Sequence, residues 1–152
     1  MLENGTKAPD FELDSKIDQK IALSNLRGKK VILVFYPADW STVCSDQIAL
    51  YNEMSGLFEK HNAQMLGISV DGKWCHKAFA EHRNIGFPLL ADFEPKGAVS
   101  MLYESYTEFG FSARNLYVID EDGIIRWSYV SPIGENPGGD GILKALEDID
   151  NG

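Results

Sequence analysis

Two nearly unbroken apolar runs stand out along the chain: Val31 to Tyr36 (VILVFY) and Gln64 to Val70 (QMLGISV). Runs of this length without polar alternation predict strands buried on both faces. Between them Leu50, Tyr51, Met54, Leu57 and Phe58 recur at helical spacing, so a helix is expected to begin near Cys44 and run through them. Shorter alternations at Phe11 to Leu13 and Ile21 to Leu23, separated by a polar Asp/Ser/Lys turn, predict a hairpin in the first thirty residues. Trp74 to Arg83 reads as a short helix and Phe87 to Ala91 as a short extended segment. A further helix is expected through Ala98, Val99, Leu102 and Tyr103, with Pro95 in its first turn. Asn115 to Asp120 and Ile124 to Val130 flank Glu121-Asp122-Gly123, and Asp-Gly between apolar runs is a strong hairpin signal. A Gly/Pro-rich stretch, Ile133 to Gly141, leads into a closing helix that carries Ile142, Leu143, Leu146 and Ile149.

This order predicts an α/β fold. Alternating strands and helices build a parallel core, and the late hairpin adds antiparallel strands. The expected result is a central mixed sheet with helices on both faces and an N-terminal β-hairpin. With 152 residues and no visible repeat or linker, residues 1–152 are expected to form one domain. No apolar stretch approaches the roughly 20 residues of a membrane span. The first residues, MLENGTKAPDFEL, lack the basic start and apolar stretch of a signal peptide, so the cytoplasm is the expected location. A net charge of −9 disfavours nucleic acid and anionic membranes as partners.

The chemistry gathers at Cys44. The first buried run ends in Pro37-Ala38-Asp39-Trp40-Ser41-Thr42-Val43-Cys44, which places a thiol where a strand hands over to a helix. Unpaired N–H groups and the positive end of the helix dipole favour a thiolate at such a position. Ser41 lies one turn earlier and can donate a hydrogen bond to the sulfur or to a bound oxygen. Pro37 shapes the turn and has no N–H to compete for the sulfur. Arg114 precedes the apolar run Leu116 to Ile119, where a cation at a strand end can reach the same side of the sheet.

These residues carry a family resemblance. Pro37-x-x-x-Ser41-x-x-Cys44 resembles the peroxiredoxin motif Pro-x-x-x-(Thr/Ser)-x-x-Cys. Ala8-Pro9-Asp10-Phe11, Gly67-Ile68-Ser69-Val70-Asp71, Phe87-Pro88-Leu89-Leu90-Ala91-Asp92 and Arg114-Asn115-Leu116-Tyr117-Val118-Ile119-Asp120 resemble further family segments, in family order. The resemblance implies a thioredoxin-like fold and reduction of hydrogen peroxide and organic hydroperoxides. It makes Cys44 the peroxidatic cysteine, Ser41 a peroxide ligand, Pro37 a pocket wall and Arg114 the stabilising cation. Gln47 falls where many members carry a Glu or Gln that orients the arginine. No cofactor or metal is implied. A thioredoxin-like or other thiol reductant and a homodimer are implied as partners.

Cys75 is the second of two cysteines, 31 positions beyond Cys44, at the start of the Trp74 to Arg83 helix. Two cysteines are a redox pair, half a metal site or two unrelated thiols. Some peroxiredoxins carry a resolving cysteine in this helix, which would make Cys75 the disulfide partner of Cys44. The alternatives are a one-Cys peroxidase that uses an external thiol, or a redox sensor with little turnover. A zinc site of Cys44, Cys75 and His76 lacks the tight ligand spacing of structural zinc. A thioredoxin-type reductase would need Cys-x-x-Cys, and here the last position is Gln47.

Overall fold

The computed structural model describes residues 1–152. Seven strands form one sheet: β1 (Glu12–Lys16), β2 (Gln19–Ala22), β3 (Lys30–Phe35), β4 (Ala63–Ser69), β5 (Leu89–Ala91), β6 (Arg114–Ile119) and β7 (Ile125–Ser131). Their spatial order is β2-β1-β5-β4-β3-β6-β7. β3, β4 and β5 run parallel, whereas β6 pairs antiparallel with β3 and β7 with β6. The helices are α1 (Thr42–Glu59), α2 (Lys73–Arg83), α3 (Ala98–Leu102) and α4 (Asp140–Asn151).

β3 shows why the apolar run becomes a central strand. Successive side chains point to opposite faces. Ile32, Val34 and Tyr36 enter a core shared with α1, α2 and α4, through Ile48, Phe79 and Ile142 among others. Val31, Leu33 and Phe35 enter a second core closed by Val99 of α3 and by Ala8 and Phe11 of the N-terminal segment. Both faces are therefore covered, as the unbroken run requires. Each such side chain contributes about 1.5–3 kcal/mol on full burial.

One element departs from the sequence reading. Pro95 is not in the first turn of α3: it follows a cis peptide bond after Glu94, and the helix begins at Ala98. Asp92 sets that start. Its carboxylate accepts from the backbone N–H of Val99 at 3.0 Å and of Ser100 at 2.8 Å, pairing N–H groups that the first helical turn leaves free. The hairpin expected around Glu121-Asp122-Gly123 is present, with β6 and β7 antiparallel on either side of it. Asp120 bonds across to Ile124 through its backbone, and its carboxylate accepts from Asp122 and Ile124 N–H. Gly123 supplies the positive φ of +85° that this turn requires.

The C-terminal helix is tied to the sheet by charge. Lys30, buried at the start of β3, reaches Asp150 at 2.6 Å, and His61 Nδ1 meets the other oxygen of the same carboxylate at 2.6 Å.

Candidate active site

β3 ends beneath the start of α1. The chain leaves the strand at Tyr36, passes through buried Pro37 and enters the helix with Ser41 as N-cap. Cys44 is the third residue of α1 and is fully buried. Arg114, the first residue of β6, comes from the other side of β3 and is itself 2 % exposed. Its Nη1 donates to Cys44 Sγ at 3.1 Å and to Gln47 Oε1 at 2.9 Å. Its Nε donates to the Ile133 carbonyl at 2.7 Å. Two nitrogens of the guanidinium are thus fixed within the chain.

A buried cation placed against a sulfur stabilises negative charge there, because the low dielectric strengthens the attraction and the hydrogen bond is charge-assisted. The supporting groups continue along α1. Gln47 Nε2 lies 3.3 Å from the Tyr51 hydroxyl, which donates to the Gly138 carbonyl at 2.9 Å. Burial pushes the Tyr51 hydroxyl up to about 12, against the downward pull of Gln47 and Arg114, so it stays a neutral donor. Gln47 and Tyr51 stand four residues apart on one helix face, the spacing at which side chains meet.

Ser41 is exposed, and its hydroxyl makes no capping bond. Trp40 just before it takes a left-handed φ of +71°, uncommon for a bulky residue. Its half-exposed ring packs at 5.3 Å against both Phe79 and His82 of α2. The turn before Cys44 is therefore braced against the helix that carries Cys75.

Cys75 lies among acids. Its Sγ, a carboxylate oxygen of Asp39 and one of Asp71 lie within 4.8 Å of one another, and the thiol faces Asp71 at 3.9 Å. Burial first, then the charges of Asp39 and Asp71, push the Cys75 thiol up to about 11. Asp39 is held by the Tyr36 hydroxyl at 2.6 Å and by His76 Nδ1 at 2.6 Å, while His76 Nε2 meets the Leu90 carbonyl at 3.0 Å. A carbonyl can only accept, so His76 Nε2 is the donor in that bond. Asp71 is fixed in turn by Asp39 N–H at 2.8 Å and by the Ser69 hydroxyl at 2.5 Å.

The structure therefore brings Cys44, Arg114 and Gln47 into direct contact and places Pro37 and Ser41 on the turn that leads to them. Both cysteines are free thiols. The sequence reading passed over Tyr51 and the carbonyls of Ile133 and Gly138. For Tyr51 the i,i+4 spacing from Gln47 is a usable signal; backbone carbonyls leave none. Asp39, Asp71 and His76 were also passed over as a cluster, because they come from two turns and from α2 and converge only once β3 and β4 pair.

Comparison with known proteins adds independent findings. A model of the AhpC/TSA family matches residues 4–128. Alkyl hydroperoxide reductase E of Mycobacterium tuberculosis is 37% identical over 137 residues, covering 89% of this chain and 90% of that protein. Among solved structures, reduced 2-Cys peroxiredoxin of Plasmodium vivax superposes with a TM-score of 0.90 at 28% identity, over 97% of this chain and 82% of that one. Peroxidoxin BcpB of Mycobacterium tuberculosis superposes with a TM-score of 0.88 at 27% identity, over 98% and 99%.

Proposed function

The chain belongs to the AhpC/TSA family, the peroxiredoxins, and on that footing we propose that Cys44 is the sulfur on which its thiol-dependent peroxidase reaction runs. The observation that carries this reading is the 3.1 Å contact from Arg114 Nη1 to Cys44 Sγ. It sets a permanent cation against a thiol in the first turn of a helix, whereas the other helix-opening thiol, Cys75, faces carboxylates.

The step balances simply. The Cys44 thiolate attacks the terminal oxygen of a hydroperoxide, an S–O bond forms and the O–O bond breaks. Cys44 keeps the attacked OH as a sulfenic acid, and the departing alkoxide or hydroxide takes a proton from solvent to leave as alcohol or water. Negative charge moves from sulfur to the leaving oxygen. Arg114 suits this shift, since Nη1 is committed to sulfur while Nη2 makes no hydrogen bond within the chain and is free for an oxygen. The uncapped hydroxyl of Ser41 is available as a second donor to the peroxide. Pro37 fills the turn without adding an N–H that would draw the peroxide elsewhere. Gln47 is a positioning residue that holds Nη1.

Cys75 is the proposed resolving thiol: it attacks the sulfenic sulfur, water leaves, and a Cys44–Cys75 disulfide forms. A thioredoxin-like dithiol then reduces the disulfide. Cys75 sits between two carboxylates and Cys44 is buried, so the starts of α1 and α2 must open for the sulfurs to meet. A second reading draws support from the same surroundings: a thiol held near 11 is a slow nucleophile at neutral pH, which favours an external thiol as partner of the sulfenic acid. Intact mass after one equivalent of peroxide separates the two. Loss of two hydrogens supports Cys75; a persistent gain of one oxygen, or a mixed disulfide with added thiol, supports the one-Cys reaction. A cytoplasmic homodimer completes the proposal.

A further inference from the structure

A groove of about 740 Å³ lies between the β1–β2 hairpin and α2, away from Cys44, Arg114 and Gln47. Its size falls within the range of about 300–1,000 Å³ typical of small-molecule sites. Lysines converge on it from two elements: Lys16 and Lys20 from the hairpin, Lys73 and Lys77 from α2. Asp18 and Glu81 are the only acids that line it, and Asp14 stands opposite Lys20 across the hairpin, in a chain whose net charge is −9. Lys77 reaches Glu81 at 3.5 Å and Lys73 Nζ donates to the Ile17 carbonyl at 2.9 Å, whereas Lys16 and Lys20 form no ion pair. Between the lysines the wall is apolar, made by Ile17, Ile21, Ala80, Ile85 and Leu89.

We propose that this groove binds a small amphiphilic anion, with a carboxylate between the hairpin and helix lysines and a hydrocarbon body on the apolar wall. Two arguments carry the assignment. Like charges brought together across a groove repel, and an anion between them removes that repulsion. A bare inorganic anion would leave the Ile17, Ile85 and Leu89 surface wet, so the fitting ligand has an apolar part to cover it. His76 borders the groove, but both its ring nitrogens are engaged by Asp39 and Leu90, so the lysines remain the anion ligands. The site is independent of the reading of Cys44 and Cys75.

The test is an NMR titration of the reduced, full-length protein with dodecanoate below its micelle concentration. Saturable shifts are expected in residues 15–21, 73–81 and 85–89. The Lys16→Glu/Lys20→Glu variant should bind at least about tenfold more weakly, equal to about 1.4 kcal/mol. Lys144→Glu, at an exposed position of α4, should bind as the parent does, and amide resonance dispersion like the parent's would show that each variant is folded. Dodecanol should bind more weakly than dodecanoate, and inorganic phosphate should not saturate. Absence of saturable dodecanoate binding, undiminished binding in the double variant, equal binding of dodecanol, or saturation by phosphate alone would each overturn the proposal. So would an acidic peptide that displaces dodecanoate and binds more tightly.

Discussion

Arg114 Nη1 donates to the sulfur of Cys44 at 3.1 Å and to Gln47 Oε1 at 2.9 Å, so one nitrogen ties a β6 residue to a thiol seventy positions earlier in the chain. The arginine is locked through Nε as well, by the Ile133 carbonyl. Its placement therefore depends on the fork shape of the guanidinium as well as on its charge.

Arg114→Lys is accordingly not a conservative change. A lysine keeps the charge but has one nitrogen, so it cannot hold Ile133 through one and Cys44 and Gln47 through another, as the guanidinium does. Loss of one preorganised donor to a developing charge costs about 10²–10³ in rate. Stopped-flow measurement of peroxide reacting with reduced protein should show a fall of about that size for Arg114→Ala, and a substantial fall for Arg114→Lys.

Gln47→Ala should slow the same step less, by about tenfold, because Arg114 retains Cys44 and Ile133 as partners. Gln47→Glu keeps an acceptor for Nη1 and should recover most of the rate. A merely structural role would leave the oxidation rate alone and change stability in both variants; the rate separates the two cases.

Cys75 makes a pH-dependent prediction. With its thiol held up at about 11, the thiolate fraction rises about tenfold per pH unit through the neutral range. If Cys75 attacks from its folded position, disulfide formation after a peroxide pulse should climb with pH from 6 to 9, and Asp71→Asn should accelerate it at pH 7. A pH-independent rate would mean that opening of α2, not deprotonation beside the acids, limits the step. Linkage gives a second readout. The folded protein holds the Cys75 proton more tightly than the ordinary value of 9.0, so stability is lost as pH rises from about 9 through about 11. Cys75→Ser should flatten that part of the stability curve.

At the other end of the sheet the sign reverses. Hydrogen bonds from His61, then Lys30, hold the Asp150 carboxyl below its ordinary value of 3.8. Its contribution is present above that value and is lost as pH falls through the lower, folded one. Asp150→Asn should lower the melting temperature at pH 7, where buried Lys30 loses its counter-ion, and the difference from the parent should narrow as pH falls below 3.8.

β3 could be read from composition because it is buried on both faces, so its residues had to be apolar without interruption. The Cys44 turn could be read because Pro37, Ser41 and Cys44 are local in sequence. Arg114 was legible through family resemblance and strand position; its contact with Cys44 depends on β6 pairing beside β3, which no local pattern states. The start of α3 was misplaced because proline looks like a first-turn residue, whereas the Asp92 carboxylate decides where the helix N–H groups find partners. Cys75 was located on the right helix, but its acidic surroundings come from Asp39 and Asp71, which belong to two other turns. The lysine groove escaped notice for a related reason: Lys16 and Lys20 are ordinary hairpin residues until α2 sets Lys73 and Lys77 opposite them.

The central claim is that Cys44 is the sulfur that meets peroxide. Reduced Cys75→Ser protein, treated with one equivalent of hydrogen peroxide in the presence of a sulfenic-acid-trapping dione and then mapped by peptide mass spectrometry, tests it most directly. The account predicts one adduct, on the peptide that contains Cys44, and no peroxide consumption by Cys44→Ser. An unmodified Cys44 peptide, or rapid peroxide turnover that survives Cys44→Ser, would contradict it.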